Sequence, residues 1–315
     1  MRRHHGYRGL APGDLGAAVA IGNFDGVHLG HRSVIALARA SADALGAALG
    51  VVTFEPHPRG FFAPGRPPFR LMDADARARR LAKLGVEQLH ELPFDADLAA
   101  MSAERFAGEV LGAGLGLRHV VAGADFRFGK ARMGDATLLR SLGPACGFSV
   151  TIAPLVSDAR GDLSSTAIRA ALSEGRPDEA ARMLGHWHRI EGRVQHGDKR
   201  GRDLGFPTAN IGLGDLHRPR YGVYAVILDV IDGPHAGRHH GAASLGERPT
   251  FGAQTPNLEV YVLDFAGDLY GAAVSVALVA FQRPELAFDD VAALVDQMGR
   301  DVTETRARLA AAGLG

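Results

Sequence analysis

The stretch from Ala18 to His31, AVAIGNFDGVHLGH, constrains the fold more than any other part of this chain. An apolar run at 17–21 predicts a buried strand, a glycine-containing turn follows, and a helix is predicted over 32–45. Glycine lets the backbone come close to a bound group, and the free N–H groups at a helix start favour an anion. His28 and His31 share one face of a helical turn. The stretch therefore predicts a nucleotide triphosphate site, and the alternative is a surface turn that contains two histidines.

Composition narrows the class of protein. The 315 residues are enough for two domains, and Lys+Arg and Asp+Glu both number 35, so a nucleic-acid partner is not expected. The single cysteine, Cys146, excludes an internal disulfide and a multi-cysteine metal site. No apolar run reaches the ~18 residues of a membrane span, and no long apolar core follows the basic first residues as in a secretory signal. We expect no membrane partner and a cytoplasmic location, and the sequence leaves open whether the chain forms a homo-oligomer.

Strands and helices alternate through the first half. A strand at 49–54 follows the helix at 32–45, so strand, helix and strand predict a βαβ unit in a parallel sheet. Residues 1–16 are predicted to be a loose arm. Ligands bind at the carboxyl ends of the strands in a doubly wound sheet, and the turns after Ile21, Phe54 and Ala122 lie at such ends. Further helices are predicted at 73–84 and 102–111, and further strands at 86–92, 119–123 and 148–154.

Two later segments of this half have residue types that suit a nucleotide. Residues 124–134 alternate aromatic and basic side chains beside two glycines, which suits stacking on a flat ring; a plain strand-to-helix connection is the alternative. Ser164 or Ser165 is a good N-cap for a helix at 166–173. The hydroxyls, the free N–H groups and Arg169 can hold phosphate oxygens there. Taken alone, an ordinary capped helix with a solvated arginine explains that segment as well.

After a helix at 178–184 the pattern changes to short strands with Gly/Pro turns. Together with a last helix at 289–310 these strands predict a small antiparallel barrel. Residues 244–251 are predicted as a turn-rich connection and 267–271 as a hairpin turn. The strands are predicted at 187–194, 221–230, 257–265 and 274–281, and the apolar face of the last helix at Val291, Leu294, Val295 and Met298.

Three features of this half suggest chemistry. The basic, glycine-rich loop 196–205 lacks the GxxxxGK[ST] pattern of a Walker loop. Thr208 and Asn210 face the same side of an extended segment, and their oxygens suit a Mg²⁺ held mainly by nucleotide phosphates and water; a turn started by Pro207 is the alternative. Glu259 lies among apolar neighbours, where it serves as a general base facing a hydroxyl substrate or as a solvated outward residue.

Taken together, these motifs resemble a known family, the bacterial bifunctional riboflavin kinase/FMN adenylyltransferases, also called FAD synthetases. The resemblance covers nearly the whole length, and four motifs in order in each half make it specific. The first half contains GNFDGVHLGH (22–31), TFEPHP (53–58), GADFRFGKARMG (123–134) and SSTAIR (164–169). The second contains GRDLGFPTANI (201–211), YGVYAV (221–226), GERPTF (246–251) and LEVYVLDFAGDLYG (258–271).

The resemblance implies an α/β domain followed by a β domain. Residues 1–185 would form a Rossmann-like nucleotidyltransferase domain with a parallel sheet, and 186–315 a small antiparallel β-barrel with a closing helix. The second domain would phosphorylate riboflavin with MgATP to give FMN, and the first would join FMN to the AMP part of a second ATP to give FAD and pyrophosphate. One pocket is expected at the carboxyl edge of the open sheet and the other inside the small closed sheet.

The resemblance also implies roles for individual residues. Glu259 would be the base of the kinase, and His28, His31 and Arg169 would act on the phosphates in adenylyl transfer. Mg²⁺ would be held by Thr208 and Asn210. Flavin contacts are expected from Asp125, Phe126, Phe128, Arg283 and Glu285. ATP and phosphate contacts are expected from Gly22, Asn23, Phe24, Gly30, Ser164, Ser165, Thr166, Gly197, Lys199, Gly201, Arg202 and Gly205.

One departure from the family pattern lies at Ala243-Ser244-Leu245-Gly246, where Ser244 stands in place of the usual Asn. Two other hypotheses fit parts of the chain. One is an adenylyltransferase whose barrel only stores or presents flavin, and the other is a flavin-responsive binding protein without turnover. The phosphate-binding segment and the Thr208/Asn210 pair favour catalysis over binding alone.

Overall fold

A computed structural model describes residues 1–63, 65–196, 205–250 and 253–314. The chain divides into two compact units, the first made of residues 1–66 and 74–163 and the second of residues 67–73 and 164–315. The division lies between Leu163 and Ser164, ahead of the predicted boundary at 185/186. Which residues carry each activity stays a prediction.

The first unit contains ten strands and six α-helices in its described residues. The strands are β1 (Arg2–His5), β2 (Ala18–Ile21), β3 (Leu49–Glu55), β4 (Gln88–Pro93), β5 (His119–Gly123), β6 (Arg127–Phe128), β7 (Gly134–Asp135), β8 (Ser149–Ala153), β9 (Ser157–Asp158) and β10 (Gly161–Asp162). The helices are α1 (Leu29–Leu45), α2 (Pro58–Phe62), α3 (Ala74–Lys83), α4 (Ala96–Ala100), α5 (Ala103–Arg105), which continues as a π-helix over Phe106–Gly114, and α6 (Ala136–Leu142).

The main sheet of this unit has the strand order β1-β4-β3-β2-β5-β8, and every neighbouring pair is parallel. All four residues of β2 are buried, as expected for a strand covered on both faces. The predicted Rossmann-like parallel sheet is therefore confirmed. The strand order runs one way from β2 through β3 and the other way through β5, so a crevice opens at the carboxyl ends of β2 and β5.

The N-terminal arm is part of the sheet, so the prediction of a loose arm was wrong. β1 pairs in parallel with β4 at the sheet edge, and the Arg3 Nε lies 2.5 Å from a Glu91 carboxylate oxygen. Glu91 also pairs at 2.9 Å with the buried Arg77 of α3, which lies 2.9 Å from Glu55. The carboxylate of Glu91 is thus buried with two guanidinium partners, which satisfies the general requirement that buried charges are paired.

The second unit contains three helices and six strands in its described residues. They are α7 (Ser165–Ser173), α8 (Pro177–Leu184), β11 (Arg189–Arg193), β12 (Thr208–Gly212), β13 (Gly222–Val230), β14 (Gly237–Thr250), β15 (Ala253–Val262), β16 (Ala273–Arg283) and α9 (Val291–Ala311). The strands form one antiparallel sheet in the order β11-β16-β13-β14-β15-β12. A bridge between Gln195 and Asn210 joins the two ends of the sheet, so the predicted small barrel with a closing helix is confirmed.

Alternation along the strands separates an inner from an outer face of the barrel. Leu258 and Val260 are buried in the barrel core, whereas Glu259 between them points to the outer face. Helix α9 covers part of that outer face, where Leu309 packs against Ile227 of β13. A side chain on the outer face of the barrel is therefore not necessarily exposed to solvent, because α9 covers part of that face.

Two connections in this unit were predicted wrongly. Residues 244–250 continue β14, because β15 pairs with them as far as Thr250↔Ala253. The proline at 249 is tolerated there, since β13 pairs with β14 only up to Leu245 and the missing N–H disrupts no ladder on that side. Residues 267–271 are not a hairpin turn, because β15 and β16, the strands that they connect, are not neighbours in the sheet.

The buried face of α9 also differs from the prediction. Asp301, Thr305 and Leu309 are its buried residues, whereas Val291 is 59% exposed. No helix in the described part of the chain combines the length and the apolar character needed to cross a membrane.

Candidate active sites

The turn after β2 in the first unit is held in a strained conformation. Phe24 and Val27 have φ values of 51° and 44°, a region that non-glycine residues rarely adopt. The Thr53 hydroxyl of β3 donates to the Asn23 carbonyl at 3.2 Å, and the Asn23 side chain is exposed. The Phe24 ring is buried and lies 5.0 Å from the ring of His31. The buried Phe24 ring therefore packs against the imidazole of His31.

The two imidazoles are brought together at the start of α1. His28 is the N-cap, and its Nδ1 accepts from the His31 backbone N–H at 3.3 Å. The rings stack with centroids 3.7 Å apart. Because the cap is His28, the helix begins at Leu29 rather than at the predicted residue 32. Both rings thus lie beside the backbone N–H groups of the first helical turn, the end of the helix that favours anions.

Gly30 makes the close approach of the His28 ring possible. A Cβ at position 30 would lie 3.0 Å from His28 Cε1 and 3.1 Å from its Nδ1, and 3.2 Å from the Leu163 carbonyl oxygen. Gly22, by contrast, would place a Cβ at an ordinary 3.5 Å from the Phe24 ring. The glycine between the histidines thus relieves tight packing, and it lets the His28 imidazole lie against the helix start.

Burial, together with the neighbouring His28, holds the pKa of His31 well below its usual value of 6.5. His31 is therefore neutral at neutral pH, and its Nδ1 has no hydrogen-bond partner among the described residues. A buried ring nitrogen without a partner is costly in a folded protein. An incoming phosphate oxygen would supply the missing partner once this nitrogen carries the proton.

Three of the residues predicted to contact flavin lie in the segment after β5: one side chain is exposed and two are packed against protein. Asp125 is exposed, and its Oδ1 lies near the Gly123 backbone, 3.0 Å from where a Cβ would stand. Phe126 is half-buried and stacks on Phe128 with centroids 5.6 Å apart. Phe128 is only 6% exposed and belongs to the hydrophobic core, and its contact with flavin stays a prediction.

The Ser164–Arg169 segment begins the second unit. Ser164 is the N-cap of α7, and its hydroxyl accepts from the Ala167 N–H at 3.2 Å, as the sequence predicted for one of the two serines. Ser165 is half-buried and Thr166 is exposed at the first turn. The Arg169 Nε donates to the Phe69 carbonyl at 2.6 Å, and the guanidinium lies 5.5 Å from the Phe69 ring centroid.

A cavity of about 310 Å³ lies between α9 and the outer face of the barrel. The expected pocket inside the closed sheet is therefore corrected: the barrel interior is filled by side chains, and the cavity is outside it. Thr208, Glu259 and Ser244 line one wall, and Arg283 and Glu285 line another. Asp301 lines the cavity as well. So do apolar side chains that the sequence did not identify as site residues, among them Leu286, Phe288, Leu294, Met298 and Val302.

The polar wall of the cavity is built by register. β15 places Glu259 opposite Asn210 of β12 on one side and opposite Ser244 of β14 on the other. The Thr208 hydroxyl donates to a Glu259 carboxylate oxygen at 3.4 Å. Asn210 is buried, and its Oδ1 accepts from Asn257 Nδ2 at 2.9 Å. A carboxylate, a hydroxyl and an amide oxygen thus share one face.

Glu285 enters the cavity by close approach to β14. A Cβ at Gly246 would lie 2.0 Å from Glu285 Oε1, so a larger residue at position 246 would displace the end of the Glu285 side chain. Gly205, with a φ of 85°, is the first described residue after the basic loop. The predicted phosphate contacts Gly197, Lys199, Gly201 and Arg202 lie outside the described residues.

The described residues contain no group of three His, Cys, Asp or Glu side chains that could hold a metal ion. A cation at the polar wall would therefore need further oxygens from a ligand or from water. Thr208 and Asn210 supply neutral oxygens of the type that Mg²⁺ accepts, and Glu259 supplies one carboxylate beside them. This donor set fits a Mg²⁺ that arrives with nucleotide phosphates.

Comparisons with known proteins cover nearly the whole chain. The profile of the family described as FAD synthetase matches residues 12–167, and that of riboflavin kinase matches residues 184–309. A solved structure from Streptococcus pneumoniae, described as a macrolide-efflux protein, has a TM-score of 0.85 and 31% identity, and the match covers 97% of this chain and 99% of that one.

Two relatives match this chain over more than nine-tenths of its length. A bifunctional riboflavin kinase/FMN adenylyltransferase of Pseudomonas fluorescens is 42% identical over 98% of this chain and 97% of its own. Its namesake from Listeria monocytogenes is 39% identical over 93% of both chains. Family profiles in both halves and relatives at this identity agree, and the chain belongs to the family of bifunctional riboflavin kinase/FMN adenylyltransferases.

Proposed function

We propose that this chain carries out two consecutive reactions of flavin cofactor synthesis. In the first, the ribityl 5′-hydroxyl of riboflavin attacks the γ-phosphorus of ATP, giving FMN and ADP. In the second, the phosphate of FMN attacks the α-phosphorus of another ATP, giving FAD and pyrophosphate. The observation that carries the proposal is the pair of separate sites, imidazoles at a helix start in the first unit and a carboxylate-walled cavity in the second.

Glu259 is the general base of the first reaction. It lines the cavity, accepts a hydrogen bond from Thr208 and lies on a wall otherwise occupied by neutral groups. Its carboxylate takes the proton of the hydroxyl as that oxygen bonds to phosphorus. Positioning by the cavity and removal of this proton are the contributions that phosphoryl transfer needs from a protein.

Thr208 and Asn210 are the proposed protein ligands of the Mg²⁺ of MgATP. The Asn210 amide oxygen accepts a hydrogen bond from Asn257, which fixes its direction. When bound, Mg²⁺ neutralises phosphate charge that builds up during transfer. Residues 197–205 are proposed to cover the phosphates.

The second reaction needs no side-chain nucleophile, because the FMN phosphate is itself the nucleophile. His28, His31 and the first N–H groups of α1 are proposed to bind phosphates of ATP. Gly22 and Asn23 form the turn before them. A role of Ser164, Ser165, Thr166 and Arg169 in binding phosphate stays a prediction from the sequence. The protein contributes position and charge neutralisation, the usual basis of such catalysis.

Flavin is proposed to contact Asp125 and Phe126 for adenylyl transfer, and Arg283 and Glu285 for phosphorylation. The apolar residues of α9 that line the cavity, Leu294 and Met298, suit the hydrocarbon part of a flavin ring. Oligomeric state and cytoplasmic location stay predictions.

Chromatography of the flavins tests this proposal against both alternatives. Incubation with riboflavin, ATP and Mg²⁺ should give FMN and then FAD. An adenylyltransferase with a flavin-storing barrel would convert added FMN to FAD and leave riboflavin unchanged. A binding protein without turnover would leave both flavins unchanged.

A further inference from the structure

The guanidinium of Arg283 is held rigidly at the cavity wall. Arg283 is the last residue of β16, and its side chain lines the cavity. Its Nε and Nη2 donate to the two carboxylate oxygens of Asp301 at 2.8 and 2.6 Å, and its Nη1 donates to the Pro284 carbonyl at 2.9 Å. Such a two-point contact fixes the plane of a guanidinium as well as its position.

Asp301 has its hydrogen-bonding capacity committed to this arrangement. It lies on α9, is 7% exposed, and its Oδ1 also accepts from Gln297 Nε2 at 2.9 Å. Both of its oxygens are therefore engaged by neighbouring side chains. Asp301 also lines the cavity, but with both oxygens engaged in this way its carboxylate is held toward Arg283.

The Arg283–Asp301 pair is not the single contact between α9 and the barrel. Gln282 Nε2 donates to Thr305 Oγ1 at 2.5 Å one helical turn further on, and Leu309 packs against Ile227 beyond it. Because these contacts also attach the helix, loss of the pair is expected to act on the cavity more than on the attachment of α9.

Resting on the proposed kinase function, we infer that Asp301 is a positioning residue for riboflavin: it holds the Arg283 guanidinium in the plane at which the flavin ring system binds. A planar cation packs well on a flat aromatic ring, and an ordered side chain loses less conformational entropy on binding than a mobile one. The remaining N–H groups and the face of the guanidinium are the parts left for the ring. Asp301 acts on ring binding and has no part in moving the hydroxyl proton.

A double-mutant cycle on riboflavin binding tests this inference. The four proteins are wild type, Asp301→Asn, Arg283→Met and the double variant, and the readouts are the riboflavin Kd by flavin fluorescence and the kinase KM and kcat. We expect Asp301→Asn to raise Kd and KM about tenfold, the loss of one charged hydrogen-bond pair, with kcat within about twofold. In the Arg283→Met background the Asp301 change should add little, because the guanidinium through which the inferred effect acts is gone; a direct contact of Asp301, which also lines the cavity, with the ring would instead give an effect in both backgrounds.

Controls separate positioning from a loss of structure. Asp264→Asn removes an exposed ion pair between Asp264 and Arg306, and Arg306 lies on α9 as Asp301 does. This variant should leave the riboflavin Kd unchanged. Should a charge variant fail to fold, Gln297→Met keeps the Arg283–Asp301 pair, loses one hydrogen bond to Asp301, and should raise Kd about threefold. The melting temperature and FAD formation from added FMN report folding in every variant.

Equal effects of Asp301→Asn with and without Arg283 would overturn the inference, as would a fall in kcat with an unchanged riboflavin Kd. If wild type forms FMN and Asp301→Asn behaves like it, the inference alone fails. If wild type neither binds nor phosphorylates riboflavin, the proposed function and the inference fail together.

Discussion

Glu259 shows how a single side chain acquires a role from strand geometry. The alternation of β15 turns it away from the barrel core, and the cover of α9 converts an outward position into a cavity wall. The sequence alone predicts the alternation of inward and outward residues, but it does not decide whether Glu259 is a solvated residue or a general base. It could not predict the cover, because that depends on a helix that begins more than thirty residues later.

We predict that Glu259→Gln lowers the kcat for FMN formation by about 10²–10⁴, the usual contribution of a general base. The amide keeps the shape of the side chain but cannot take the proton. Formation of FAD from added FMN should stay within about twofold of wild type, since that reaction needs no base from the barrel. Product chromatography with riboflavin and with FMN as substrates measures both.

The matched control is Glu191→Gln, on β11 of the same barrel. Glu191 accepts a hydrogen bond from Ser275 at 3.1 Å and does not line the cavity. It should leave both reactions unchanged. Normal FMN formation by the Glu259 variant would remove Glu259 from the mechanism.

His188 provides a prediction about acid stability. Burial, with smaller effects of His217 and His186, lowers its pKa from 6.5 to about 3. In the unfolded chain it takes up a proton near its usual pKa, so the unfolded state binds more protons as the pH falls and the free energy of unfolding decreases. The loss begins below about pH 6.5 and amounts to about 2 kcal/mol between about pH 7 and about pH 5.

Urea unfolding at the two pH values, followed by the fluorescence of Trp187, measures this loss. Trp187 is the single tryptophan of the chain and precedes His188 directly. The variant His188→Leu should have a smaller pH dependence than wild type by about the 2 kcal/mol that one shifted histidine contributes. An identical dependence in both proteins would contradict the account.

At the scale of elements, the strand–turn–helix around α1 was predictable because every signal in it is local. An apolar run, glycines and a capping residue all act within a few residues of one another. The first turn still began earlier than predicted, since His28 is an unusual cap whose Nδ1 accepts the bond that a Ser or Asp oxygen normally would.

Elements that depend on distant partners were predicted poorly. The first residues have no local signal for a strand, and they form β1 because they pair with β4. The ion pair between Arg3 and Glu91 likewise joins residues that are far apart in sequence. The last part of β14 contains turn-forming residues, yet it pairs with β15 because no strand on its other side requires the missing N–H. Leu294 and Met298 followed the pattern of core residues, and the structure places them over a cavity.

Gly30→Ala tests whether packing at the helix start serves adenylyl transfer. The added methyl would press on the His28 ring and on a backbone carbonyl at 3.0–3.2 Å, so the ring must move. We expect FAD formation from FMN to fall about tenfold or more, because small displacements of positioning groups are costly in catalysis. FMN formation from riboflavin should not change.

Gly60→Ala is the control for this prediction, since a Cβ at position 60 would meet no atom within 4 Å. It should leave both reactions as in wild type. Full FAD formation by the Gly30 variant would show that the His28 position does not matter for the reaction.

At the scale of the whole molecule, the compact units depend on contacts between residues far apart in sequence. The change from alternating elements to short strands predicts a domain boundary at 185/186, and that boundary stays a prediction. The compact units divide between Leu163 and Ser164, and residues 67–73 belong to the second unit. That assignment rests on contacts such as the pairing of Arg70 with Leu216, which link residues far apart in sequence.

The central claim is that two sites consume two ATP molecules at different phosphorus atoms. The most direct measurement is the fate of radioactive phosphorus when wild-type protein converts riboflavin with ATP labelled at either the γ- or the α-position. The account predicts that γ-label appears in FMN and in FAD, and that α-label appears in FAD and never in FMN. Label from neither position in any flavin, or α-label in FMN, would contradict it.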